Sequence, residues 1–449
     1  MLVTLASAAG TGTVLAAAGS IVGVGVVCAI LRRRPDAFPV LAIAALPFRL
    51  PISAEGRTVN LLIPLYVVVA AGTLVLLLPR IVQRREAPPR GLEWLLAATV
   101  ALYALQAAYS SDAAKAAENL AFFYVPFALL LVLLRDVRWT RELLLACLAV
   151  AAVLAFAFAG VGFVEYYRKA LFLNPKVVAA NQYDNYFRVN SLFFDPNIYG
   201  RFLALVMVAL TGIVLWGRRR GELLACAALL GWLLAGLVTS FSQSSVAALL
   251  LGLAVLAAWR WGTRPTLYWA GALVALGIGV VLAAPASLHF GLKGSGGSTS
   301  NATSGRGKLI SGGLDLFAKR PLWGYGSGSF ETEYKRQRRA SAQNATSASH
   351  TIPVTVAAEQ GLMGLALYFA LLVLAVRALF RDAGRSPPRI VIAACFAALV
   401  LHTWTYADFL EDPMTWTLLG IGLALARQSE PARQAETAIA PKAAAAGAR

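Results

Sequence analysis

Long apolar runs alternate along the chain with short polar breaks. A bilayer core takes about 20 apolar residues of helix. Runs of that kind recur at 11–31, 37–53, 59–81, 92–110, 117–134, 141–164, 196–216, 222–240, 243–259, 266–287, 351–377, 388–407 and 413–426. The pattern predicts an all-α polytopic membrane protein of about 12–13 transmembrane helices. The weakest span is 37–53, which Pro47, Phe48, Arg49 and Pro51 interrupt, so it reads as re-entrant or as a full crossing. Two breaks are much longer than the rest. They divide the chain into N-terminal helices over 1–164, a first external loop over 165–195 and central helices over 196–287. A large external loop with short interfacial helices follows over 288–350, then C-terminal helices over 351–426. The tail, 427–449, is rich in Ala, Glu, Arg and Pro and reads as disordered.

Composition sharpens this picture. Of 449 residues 59% are apolar and 14% charged, with mean hydropathy +0.67. That balance excludes a soluble enzyme, a disordered scaffold and a disulfide-stapled secreted domain. Cys28, Cys147, Cys226 and Cys395 lie singly in apolar runs, as buried cysteines do. Residues 1–10 hold no Lys or Arg, so no cleaved signal peptide is expected.

The net charge of +18 would point to nucleic acid in a soluble protein. Here it follows topology, and no nucleic-acid partner is expected. The basic breaks Arg32-Arg33-Arg34, Arg84-Arg85, Arg218-Arg219-Arg220 and Arg381 to Arg389 fall after odd-numbered spans. Placed in the cytoplasm, they set the start of the chain outside and the tail inside. Long loops escape that rule, and 288–350 holds nine Lys/Arg against Asp315, Glu331 and Glu333. An external face this basic attracts membrane lipid head groups or a phosphorylated substrate.

Few residues offer chemistry. Of three histidines, His289 leads into the large loop and His402 sits in an apolar span as a packing residue. His350 closes the loop at the water interface, where an imidazole suits proton transfer. Residues 306–319 predict an amphipathic helix with Leu309, Ile310, Leu314, Leu316 and Phe317 on one face and Lys308, Asp315 and Lys319 opposite. Arg306 falls on the apolar face. It is there either to grip an anion bidentately or to snorkel from the helix end. Arg188 precedes Asp195-Pro196, a helix cap and first turn, with Asn197 next and Arg201 one turn inside. A charge at that depth needs a partner, and Asp195 and Glu359 are the candidates for Arg201. Glu359 is itself an intramembrane charge, beside Gly361 and Gly364, which would let a helix or lipid chain approach. Gly324, Gly326 and Gly328 lack the GK[ST] of a nucleotide loop, and no metal-ligand cluster or cofactor motif stands out.

Three stretches carry a resemblance. RVNSLFFDPNIYGRF (188–202), GRGKLISGGLDLFAKRPLWGYGSGSF (305–330) and SHTIPVTVAAEQGLMG (349–364) together resemble the O-antigen ligase/polymerase superfamily of bacterial membrane glycosyltransferases. The last is similar to its H-[NST]-x9-G-L-x-G pattern through His350, Thr351, Gly361, Leu362 and Gly364. Ser242-Gln243-Ser244 stands where many relatives carry a Ser-Arg pair, and Leu309 or Ile310 where an aromatic is usual.

The resemblance implies an inverting, metal-independent glycosyltransferase with no cofactor. Its donor would be an undecaprenyl-pyrophosphate-linked glycan and its acceptor a lipid or glycan hydroxyl. It would lie in the bacterial inner membrane with its site on the periplasmic face. Arg188 and Arg306 would hold pyrophosphate and His350 would serve the acceptor hydroxyl. Asn197, Arg201, Glu359, Lys308 and Arg320 would line the substrate. Ligase type leads, with a polymerase of the same superfamily or a flippase as alternatives.

Overall fold

The computed structural model describes residues 11–54, 57–83, 89–172, 187–272, 300–338, 349 and 351–429. The N-terminal half comprises α1 (Thr11–Arg33), α2 (Ala37–Ala45), β1 (Leu50–Ala54), β2 (Arg57–Leu61), α3 (Ile63–Val82), α4 (Gly91–Ala107), α5 (Ala113–Arg135) and α6 (Arg141–Arg168). After it come α7 (Pro196–Trp216), α8 (Arg220–Thr239), α9 (Gln243–Trp261), α10 (Ser300–Lys319), α11 (Phe330–Arg338), α12 (Ile352–Phe380), α13 (Pro387–Thr405) and α14 (Pro413–Gln428). Eight of these, α3, α5 to α9, α12 and α13, are long and apolar enough to cross a membrane. The all-α polytopic class holds. Helices satisfy their backbone groups internally, which is what lipid demands.

The interrupted run 37–53 is not one helix. Helix α2 stops at Ala45, and Pro47 and Pro51 carry the chain into a β1–β2 hairpin that pairs Leu50 with Leu61 and Ala54 with Arg57. Gly23 lies against Val67, and the Cys28 thiol approaches the Ala71 carbonyl at 4.0 Å. Positions rise together along both helices, so α1 and α3 run parallel and the chain between them returns to its starting end. Nine helical residues rise about 13 Å, and a turn at Leu46–Phe48 leads from them into the hairpin. Buried Phe38, Ala42, Ala45, Leu46 and Pro47 pack that broken crossing into the bundle. Of the expected span 266–287, residues 273–287 lie outside the described residues, as do the expected tail beyond 429 and residues 173–186 of the first long loop.

Two buried clusters hold the bundle. One is built mainly from α1 to α5 with α12 and α14, the other mainly from α6 to α9, and α13 contributes to both through Phe396 and Leu399. Water is not the medium between these helices, so close fit rather than apolar transfer sets the contacts. An added Cβ at Gly212 would overlap Val391, so α7 and α13 cross closely, and the Cys395 thiol at the Leu205 carbonyl shows that they run antiparallel.

The helix directions gather the basic breaks at one end. There Arg135 bonds Glu93 at 2.8 Å, Arg427 bonds the same carboxylate at 2.8 Å, and Arg80 reaches Asp136 at 3.5 Å. Gly384 against Trp259 places the α12–α13 connection at the same end. The opposite end carries α10, α11, the start of α7 and the α13–α14 loop.

Candidate functional site

Helix α7 begins as its sequence dictates. Asp195 accepts hydrogen bonds from the amides of Asn197 (2.6 Å) and Ile198 (3.3 Å), and Pro196 opens the first turn. Just upstream, Arg188 is half-buried; its Nε donates to the Ser240 carbonyl (3.1 Å) and its Nη2 to Asn197 Oδ1 (3.2 Å). The two bonds fix the guanidinium plane. Glu165, fully buried near the end of α6, secures this loop by accepting from the amides of Asn190 (3.3 Å), Ser191 (2.7 Å) and Phe172 (3.0 Å). Sequence reading passed over Glu165, though a lone carboxylate at the end of an apolar run was its signal.

Arg201 takes neither expected partner. Its Nη2 meets Asp412 at 2.8 Å, both side chains at most 2% exposed, and its Nη1 donates to the carbonyls of Ala407 (3.3 Å) and Asp408 (3.4 Å). Asp195 is occupied as the α7 cap, and Glu359 lies on another helix with other partners. The signal for Asp412 was a short loop, 406–412, holding Asp408, Glu411 and Asp412 between two spans. Burial favours the neutral form of Asp408 and Glu411 in this loop. It raises Asp408 against the pull of Arg201 and Arg49, and pushes Glu411 up to about 8, with Asp408 adding to the shift. Tyr406 is raised well above its usual range by burial and by the carboxylates of Asp195 and Asp408.

Glu359 anchors a turn. Its carboxylate accepts from the amides of Gly328 (2.9 Å) and Phe330 (3.0 Å), at the N-terminus of α11. Its own carbonyl accepts from Gly326 at 2.8 Å, and the Leu362 amide donates to Pro321 at 2.7 Å. Gly361 is kinked (φ 66°, ψ −160°), and a Cβ there would lie 2.4 Å from the Leu322 carbonyl. A Cβ on Gly324 would lie 2.2 Å from the Glu359 carbonyl. The glycine-rich turn and the Gly-Leu-x-Gly stretch therefore interlock, backbone to backbone. The α4–α5 connection closes the other side, with Tyr109 donating to Trp323 (2.7 Å), Ser110 to Ser327 (2.7 Å) and Ser327 to Tyr103 (2.8 Å).

Helix α10 starts at Ser300, earlier than expected. Its buried stripe is Leu309, Gly312, Gly313 and Leu316, while Leu314 is exposed rather than inward. Gly313 fits against Val354, and Pro321 bonds Leu362, at one and the same sequence offset, so α10 and α12 run in one direction side by side. Position 306 precedes Leu309 by three residues, continues the buried stripe by helical period, and falls near the level of the start of α12. The Arg306 side chain lies outside what is described. His350 also lies outside the described residues. Its neighbours are fixed: Thr351 donates to the Trp404 carbonyl, and the Ser349 amide donates to Thr355 Oγ1 at 3.0 Å. Lys308 is exposed, and Arg320, also exposed, stacks over Tyr325 at 4.5 Å. The Arg188 group, just before α7, and α10 belong to separate elements. They share an end of the bundle through α12 and α13.

Residues 228–369, from α8 into α12, match the family model described as O-antigen ligase. The match supports the O-antigen ligase/polymerase superfamily. No curated protein matches the chain. The superfamily supports a glycosyl-transferring activity on lipid-linked glycans in general. The matched stretch contains the interlocked turn, position 306 and position 350. Arg188, Asn197 and Arg201 fall before it, so their inclusion in the site rests on the arrangement at the head of α7.

Proposed function

We propose that this protein transfers a glycan from undecaprenyl pyrophosphate to an acceptor hydroxyl, as an O-antigen ligase does, at the periplasmic face of the bacterial inner membrane. The observation that carries the reading is Arg188: a half-buried guanidinium, oriented by Ser240 and Asn197, at the end of the bundle where α10 and the start of α12 also lie. Gathering of the basic breaks at the other end supports an external position for this one. Arg188 and Arg306 neutralise the pyrophosphate, which makes it a competent leaving group without a metal. His350 takes the proton of the acceptor hydroxyl or orients it. Attack opposite the departing pyrophosphate inverts the anomeric centre. Asn197 serves the clamp by holding Arg188, and Arg201 serves by joining α7 to the 406–412 loop. Glu359 acts through the turn that it anchors. Lys308 and Arg320, both exposed, supply charge toward the incoming substrate.

The test uses purified protein, a synthetic undecaprenyl-pyrophosphate glycan, candidate lipid and glycan acceptors, and mass detection of product, with and without EDTA. Transfer to a non-glycan lipid supports ligase type, and repeat-unit chains support a polymerase. Transport of the donor without any transfer refutes the reading. Loss of turnover in EDTA that returns with Mg²⁺ overturns the arginine clamp.

A further inference from the structure

Behind Arg188 lies a buried chain of hydroxyls that ends on an imidazole. Asn197 Oδ1, the acceptor for Arg188, also accepts from Ser242 Oγ at 3.0 Å. Ser242 Oγ is 2.7 Å from Ser245 Oγ and 3.2 Å from Ser244 Oγ. Both serines reach His402 Nε2, at 3.1 Å and 3.3 Å. Ser245 Oγ donates in addition to the Asn197 carbonyl at 3.2 Å. The Tyr406 ring stands edge-on to His402 with centroids 5.8 Å apart, and Asp195 accepts from the Asn197 amide at 2.6 Å. His402, Ser242 and Ser245 are at most 1% exposed.

This burial excludes the obvious reading of a Ser–His pair, a nucleophile with its base, because no substrate carbon reaches Ser244 or Ser245. A packing role does not account for it either. An imidazole within a spanning helix marks function by default, and the Nε2 of this one meets the serines that lead to the clamp. Three elements meet here: the head of α7, the head of α9 and the last turn of α13. Each hydroxyl has one proton to give, so the donor and acceptor sense of every link depends on its neighbours.

We propose that His402 is a positioning residue for Arg188: through Ser244, Ser245, Ser242 and Asn197 it fixes the amide oxygen that orients the pyrophosphate-gripping guanidinium. The proposal rests on the function assigned above to Arg188. With His402 replaced by an apolar side chain, Ser244 and Ser245 turn to other partners and Asn197 loses its set orientation. The Arg188 plane then rotates away from the geometry that a bidentate phosphate needs. The chemistry at the acceptor hydroxyl is untouched.

The experiment measures undecaprenyl pyrophosphate binding to the full chain in detergent by native mass spectrometry. The proteins are wild type, Arg188→Ala, His402→Leu, His402→Gln and the Arg188→Ala/His402→Leu double variant. His402→Leu is expected to weaken binding about tenfold, within the range that residues in one network couple. His402→Gln, which retains a donor and an acceptor, should recover most of that loss. In the Arg188→Ala background His402→Leu should cost nothing further. If Arg188→Ala leaves binding unchanged, the assignment of Arg188 fails and takes this inference with it. If Arg188→Ala weakens binding while His402→Leu does not, or if the two losses add in full, only the inference fails. Should His402→Leu not fold, the Ser244→Ala/Ser245→Ala variant enters the same cycle with the same expected and overturning results.

Discussion

Glu359→Gln tests whether that carboxylate is a structural anchor. The wild-type side chain accepts from two amides, Gly328 at 2.9 Å and Phe330 at 3.0 Å. Glutamine has one acceptor oxygen, so its NH₂ must face the second amide as donor against donor. A hydrogen bond to a charged group contributes about 1.5–3 kcal/mol, and a buried donor left unmade costs about 1–3 kcal/mol. The Phe330 ring is 1% exposed, so water does not readily replace the missing acceptor. A local loss of about 3 kcal/mol corresponds to roughly 150-fold in the opening equilibrium of the turn. Hydrogen exchange in nanodiscs reads this directly. Amides from 324 to 334 should exchange about 100-fold faster, while those of α7 and α13 keep their wild-type protection. Glu359→Ala, which removes both acceptors, should go further in the same segment. Unchanged exchange in 324–334, or an equal rise throughout the bundle, would refute the anchor assignment.

Arg201→Met strands a buried Asp412 and should lower thermal stability in detergent by the equivalent of about 3–5 kcal/mol, whereas Arg201→Met/Asp412→Asn recovers much of it; additive losses would contradict the pairing at 2.8 Å. Glu411 has its folded pKa raised to about 8, above its unfolded value, so the folded state binds the extra proton. Stability is therefore full below about pH 4 and falls as pH rises through about 8. Glu411→Gln should flatten that decline in melting temperature, and an unaltered slope would remove Glu411 as its source. Arg188→Lys should bind undecaprenyl pyrophosphate little better than Arg188→Ala, since an ammonium lacks the fork that Ser240 and Asn197 orient; full rescue by lysine would leave charge alone as the requirement. A cysteine placed at Lys308 should label from outside the cell and one at Arg219 should not, and the reverse would invert the orientation.

The bundle was legible in the sequence because lipid imposes one simple rule, an apolar run of fixed length for each crossing. Where prolines broke the run at 47 and 51, the chain still crossed, with α2 covering only part of the distance. Asp195 as cap and Pro196 in the first turn of α7 were also legible, since capping depends on neighbours in sequence. Pairings over long separations were not. Arg201 and Asp412 stand far apart in the chain, and neither residue's local context names the other. His402 looked like a packing residue because its partners, Ser244 and Ser245, come from a helix whose register against α13 the sequence does not state. Glu359 looked like a substrate contact because a charge in an apolar run says only that a partner exists, and here the partners are backbone amides.

The two glycine-containing stretches of the matched region are one mechanical part rather than two motifs. A backbone-to-backbone seam leaves no side chain to flex: Gly326 bonds the Glu359 carbonyl, Leu362 bonds Pro321, and Cβ atoms at Gly324 and Gly361 would overlap the facing chain. Downstream of the seam α12 continues as a long spanning helix, and upstream its first turns lead back to Ser349 and Thr351. Helix α10 enters the same seam through Arg320 and Pro321 and runs beside those first turns. Helices are stiff over this length, so fixing one end of each relative to the other fixes their far ends as well. Position 306 thus answers to a joint well away from it. On the function proposed above, a site that uses Arg306 on α10 gains in this way the precision that catalysis needs from supporting structure. The glycines are required at the joint for steric reasons, and the joint sets where the far ends of α10 and α12 stand.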